Sequence, residues 1–207
     1  MNITYKNPGY DHSIDSISLF LTGDETPFWS EPIFHFYPQV DKHALSNCNH
    51  TEKHKYLNDV FRGIYENLRE EIDKKVICYN AHFQNHKGQI EDALSDAFGV
   101  DASTLFNDLT GNVILNPICP RFLQERYFDV FYMNSERGAL GLSLHEAIHY
   151  FWFYVWNGHF GDSYNEYETP SLKWILSEMV VETIMRDDRL SSLNPYFPKE
   201  NGGCIYP

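Results

Sequence analysis

The chain has 207 residues, and its 16 Lys and Arg stand against 29 Asp and Glu. The resulting net charge of −13 lacks the basic footprint that nucleic acid or an anionic membrane surface requires, so neither is expected as a partner. With 43% hydrophobic and 22% charged residues, the make-up is that of an ordinary globular protein, and the length suits a single domain with a substantial core.

The opening MNITYKNPGYDHS is polar and has no basic-then-apolar leader pattern. Cys48, Cys78, Cys119 and Cys204 are too scattered for a zinc knuckle or a redox pair. Reduced thiols in a cytoplasm are the expectation. Residues 1–50 read as irregular, with two short strands, SISLFLTG at 16–23 and PIFHFYP at 32–38. Residues 51–98 read as mostly helix, because Leu57, Val60, Phe61, Ile64, Leu68, Ile72 and Val76 recur at helical spacing. A shorter helix, GQIEDALSDAFG, continues to Gly99.

Two more strands are expected at GNVILNPI and YFDVFYM, between residues 111 and 133. Ser135 is a suitable N-cap for a helix over 136–157, with Asn157-Gly158 as its stop. A loop, HFGDSYNEYETP, leads to a last helix over 171–188, started by Pro170 or Ser171. The Pro- and Gly-rich tail is expected to wrap the surface. The order gives an α+β domain, with a strand and helical N-terminal portion at 1–110 and the chemistry at 111–207.

The most apolar window, 139–156, carries His145, Glu146 and His149 at its centre. Ionisable groups there are costly in lipid, so a buried core helix is expected rather than a membrane span. Within it stands HEAIH, residues 145–149. Histidines one helical turn apart share a face and can bind one metal ion. Glu146 lies about a third of a turn round, beside a metal-bound water without being a ligand. Leu142, Leu144, Ala147, Ile148, Phe151, Trp152, Phe153, Val155 and Trp156 make the helix apolar nearly all round, so its polar groups need compensation, which a divalent cation would give. HTEKH at 50–54 and HFQNH at 82–86 repeat the histidine spacing without the glutamate and lie in polar stretches, where a solvated face is expected. His12, His35 and His43 have no ligand-like spacing.

Two ligands do not complete a catalytic zinc site, which usually takes three and a water. A close third histidine is absent, since Val155 stands at its place. The last helix offers SEMVVE, with Glu178 and Glu182 one turn apart among Trp174, Met179, Val181 and Met185. Packed on the motif helix, Glu178 would bind the metal and Glu182 would accept an N–H from a ligand histidine. Glu166 and Glu168, in the loop, are weaker candidates.

At these residues the chain resembles the gluzincin zinc metallopeptidases, the thermolysin-like group with H-E-x-x-H on one helix and a Glu ligand on a later one. The resemblance covers about residues 127–187, with Ser177 where that group commonly has Asn. It implies a zincin-like fold, in which a small mixed sheet packs on the buried motif helix and the Glu-bearing helix. It also implies one zinc ion held by His145, His149 and Glu178, with Glu146 as general base for hydrolysis of a peptide or protein substrate. The oxyanion needs a further donor, and His159, Tyr164 and Tyr167 are the candidates. YFDVFYM would offer a sheet edge to an extended peptide. The rival expectation is a zinc-containing binding or regulatory module with little turnover.

Overall fold

A computed structural model describes residues 1–22 and 27–194 of the chain. A four-stranded mixed sheet runs in the order β1-β2-β4-β3, with β1 at Ile3–Lys6, β2 at Leu109–Ile114, β3 at Arg121–Phe122 and β4 at Tyr127–Phe131. β1 and β4 both pair parallel with β2, while β3 pairs antiparallel with β4. The architecture is α+β with a small mixed sheet, as expected, and it is mostly helical. β2 and β4 match two expected strands. β1 pairs across a long sequence interval, so the sheet draws on both portions of the chain.

Both strands expected before residue 50 are helical. Residues 16–23 fall largely in α1, Tyr10–Leu21, because Ile14, Ile17 and Leu21 are buried at helical spacing while Leu19 faces solvent. Residues 32–38 fall largely in α2, Pro27–Phe36, which carries Pro32 in its interior. Ile33 and, one turn later, Tyr37 are buried, and the Tyr37 hydroxyl donates to the Leu115 carbonyl at 2.6 Å. A short helix, α3, spans Lys42–Ser46.

The two helices expected over 51–99 are one, α4, His50–Phe98, 49 residues long. Asn49 and Glu52 form a capping box at its start, and Gly99, at φ 64°, ends it. Gly88 does not interrupt it. Leu57, Phe61, Ile72, Tyr79, Phe83, Ile90 and Leu94 keep the helical period and are buried. α4 packs against β1, α1 and the motif helix α5, Glu136–Phe160. The last helices are α6, Leu172–Ile184, and α7, Asp188–Ser191, so the single helix expected over 171–188 is shorter. The tail from residue 195 lies outside the described residues.

The two faces of the sheet differ. On one, the Tyr5 hydroxyl donates to Ser143 Oγ of α5 at 2.7 Å, and Gly111 leaves room beside it for the Tyr5 and Phe128 rings. On the other, the fully buried Asp129 accepts from Ser16 Oγ at 2.7 Å and from Asn112 at 3.3 Å, and contacts His12 Nε2 at 2.8 Å. Among the described residues no helix is long and apolar enough to cross a membrane.

Candidate metal centre

Ser135 Oγ accepts from the Gly138 amide at 3.0 Å and starts α5 where expected. The helix does not stop at Asn157-Gly158. It runs to Phe160 and ends at Gly161, φ 86°. Trp156 and Phe160 pack ring to ring at 4.6 Å, and the Asn157 side chain donates to the Tyr167 hydroxyl instead of capping the helix. Ser171 caps α6 by accepting from the Trp174 amide at 3.1 Å. α5 and α6 pack together, so residues 145–149 face Glu178.

Three donor groups converge there. His145 Nε2 and His149 Nε2 are 3.2 Å apart, His145 Nε2 and Glu178 Oε2 3.4 Å, and His149 Nε2 and Glu178 Oε1 3.3 Å. Tetrahedral zinc bound to nitrogen and oxygen at about 2.0–2.2 Å has ligand–ligand edges of about 3.3–3.5 Å. Each pairwise contact therefore has about the length of one edge of such a tetrahedron, the carboxylate meeting each imidazole with a different oxygen, and one donor atom from each residue lies within 4.8 Å of the others. His145, His149 and Glu178 form the one group of three or more His, Cys, Asp or Glu among the described residues that could hold a metal ion. The His50/His54 and His82/His86 pairs are each close, ring centroids 4.6 and 4.8 Å apart, but among the described residues no third ligand joins either.

The protonation states suit a cation. Burial drives the His149 imidazole down to about 4, against the opposing pull of the Glu178 carboxylate, so it is neutral near pH 7. Burial raises the Glu178 carboxyl, but the two imidazoles beside it outweigh this and keep it below the usual carboxylate range. A neutral imidazole and an ionised carboxylate are the forms that ligate.

The tautomer of His149 follows from its neighbour. The single hydroxyl proton of Ser177 goes to the Trp174 carbonyl at 2.7 Å. Its oxygen, 3.0 Å from His149 Nδ1, must then accept, so Nδ1 carries the proton and Nε2 presents its lone pair to the centre. This is the role expected of Glu182. Glu182 instead lies 66% exposed on the outer side of α6, paired with Arg186 at 2.8 Å. One turn along α6 from Glu178 points away from α5, and Ser177, fully buried, is the residue that reaches the histidine.

Glu146 is buried beside the triangle and is outside the ligand group. Its Oε2 accepts from Arg121 Nη1 at 2.9 Å. Arg121 sits on the edge strand β3, and no spacing in the sequence marks it. β3 pairs with Tyr127 and Phe128 of β4, so the edge expected at YFDVFYM is covered at its start.

Of the three expected oxyanion donors, His159 lies far from the centre, while Tyr164 and Tyr167 line a cleft with Arg121. His159 is exposed and ten residues beyond His149 on the same helix, roughly 15 Å at the usual rise. The Tyr167 hydroxyl is engaged with Asp162 at 2.6 Å and with Asn157, and its ring stacks on Phe153. Tyr164 is 52% exposed and lines a cleft of about 390 Å³ with Arg121, Tyr167 and Glu168. Glu166 pairs with Lys173 at 3.0 Å. Glu168 is not in the ligand group; burial raises its carboxyl, Arg121 opposes this, and Glu146 and Glu178 add to it.

No family profile, curated protein or solved structure matches the chain.

Proposed function

We propose that the protein is a zinc-dependent peptidase of zincin-like fold, with one zinc ion held by His145, His149 and Glu178. The observation that carries this reading is the donor triangle of His145, His149 and Glu178 on two packed helices, with pairwise contacts of 3.2–3.4 Å. Zinc bound there would act as a Lewis acid toward a peptide carbonyl and lower the pKa of a water. The residues do the rest. Ser177 fixes His149 as a ligand through Nε2. Glu146 takes the proton of the attacking water as its oxygen bonds to the carbonyl carbon, then delivers that proton to the nitrogen as the C–N bond breaks. Arg121 orients the Glu146 carboxylate. The free thiols of Cys48, Cys78 and Cys119 fit a reducing compartment such as the cytoplasm.

The Arg121–Glu146 ion pair also favours a second reading, a zinc-containing binding module with little turnover, because it already occupies the carboxylate that would serve as base. One comparison separates the two. The purified full chain and its Glu146→Gln variant are assayed for zinc and for cleavage of a diverse peptide library. Equal zinc in both, with cleavage by wild type at least about 100-fold faster, supports the peptidase. A wild type that holds one zinc and cleaves nothing supports the binding module. Equal cleavage by both chains overturns the mechanism.

A further inference from the structure

The cleft beside the centre is built from three parts of the chain, the end of α1, the segment around β3 and the loop before α6. Phe20, Phe122, Tyr164 and Tyr167 give it aromatic walls. Its volume of about 390 Å³ is within the range of small-ligand sites. Arg121 is one of its lining residues, with a side chain only 9% exposed. Nη1 is engaged with Glu146, but among the described residues the buried Nε–H has no partner. A buried guanidinium with an unmade bond is costly and calls for an acceptor.

The charges at the rim point to the kind of molecule. Glu125 and Glu168 line the cleft, and among the described residues neither has an ion-pair partner. The one cation in the lining, Arg121, is committed to Glu146. Aromatic faces beside free carboxylates are the surroundings that hold a cationic side chain on a long apolar stem.

We propose that this cleft is the specificity subsite of the centre and takes a lysine or arginine side chain of a peptide, with Glu168 and Glu125 facing its charge and Arg121 donating to a main-chain carbonyl oxygen. The proposal rests on the peptidase reading for its substrate class, but binding tests it separately from hydrolysis.

The test uses acetylated, amidated peptides that differ at one position, carrying Lys, Arg, Leu or Glu. Binding to the zinc-loaded Glu146→Gln chain is followed by fluorescence anisotropy, and initial rates are measured with wild type. Lys and Arg peptides should bind at least about 10-fold tighter than the Glu peptide. Introducing Glu168→Lys, at an exposed loop position, should reverse that order. Arg121→Lys should weaken all the peptides and leave their order unchanged. Equal binding of Lys and Glu peptides, or an order that survives Glu168→Lys, overturns the proposal. Charge-ordered binding with no hydrolysis by wild type keeps the subsite and removes the peptidase. Hydrolysis without charge order does the reverse.

Discussion

Ser177 Oγ stands 3.0 Å from His149 Nδ1 and has already given its own proton to the Trp174 carbonyl. The pair fixes which imidazole nitrogen is free, and it does so from a different helix. Ser177→Ala removes the acceptor and leaves a buried N–H unpaired. It should lower zinc affinity by about 10- to 100-fold while His145 and Glu178 remain. Competition with a chromogenic chelator measures this, and an unchanged affinity would mean the tautomer is set some other way.

Glu178 and Glu182 should separate cleanly. Glu178→Ala removes one corner of the donor triangle, so bound zinc measured by elemental analysis should fall from about one per chain to near zero, as it should for His145→Ala. Glu182→Ala breaks only an exposed pair with Arg186, so zinc content should not change. Zinc lost from the Glu182 variant and kept by the Glu178 variant would reverse the assignment.

Zinc should also hold α5 and α6 together. A ligand that binds only the folded chain, present at a hundred times its Kd, stabilises by about 2.7 kcal/mol, or a rise in Tm of roughly 5–11 °C at this size. Addition of zinc to chelator-stripped protein should give a rise of that order in scanning calorimetry. Hydrogen exchange should slow first in α6. No rise at saturating zinc would remove the resident metal.

The Asp129 network is a structural device on the opposite face of the sheet from α5. Asp129→Ala strands the side chains of Ser16 and Asn112 and breaks the contact with His12. It should cost about 3 kcal/mol, or roughly 6–12 °C in Tm, with little effect on zinc affinity. His12→Ala, at a partly exposed side chain, should cost less. A change in zinc affinity as large as that of Ser177→Ala would show the two faces to be coupled.

Gly111 is a packing requirement. A Cβ there would sit 2.7 Å from Cδ1 of the Tyr5 ring, which Ser143 pins through its hydroxyl bond. Gly111→Ala should therefore destabilise by about 1–3 kcal/mol in urea unfolding. Tyr5→Phe frees the ring to shift, so the alanine should cost less in that background. Equal costs in both backgrounds would place the strain elsewhere.

The residues of the donor triangle were legible because each rests on local periodicity. His145 and His149 repeat over one turn, and Glu178 stands on an apolar helix where a carboxylate is conspicuous. Ser177 was visible only as a departure from a pattern, since nothing local says which α6 residue turns inward. Arg121 gave no signal. Its strand is two residues long, and its partner Glu146 is on another element. The misreadings at 16–23 and 32–38 have one cause. Over so few residues, alternation and a helical stripe share most of their apolar positions, and burial against α4 and the sheet decides between them. Asn157-Gly158 looked like a helix end, but the Trp156–Phe160 packing and the bond from Asn157 to Tyr167 carry α5 onward.

The pairing of β1 with β2 sets a schedule for synthesis. Ile3 lies opposite Leu109, so the first strand leaves the ribosome 106 residues ahead of its partner. At about 5–20 residues per second, that is a wait of roughly 5–20 s with an apolar strand unpaired. During this interval α4 can form from its own sequence, and it packs against β1 in the finished fold. The long helix is thus the surface on which a nascent β1 can rest until β2 is made.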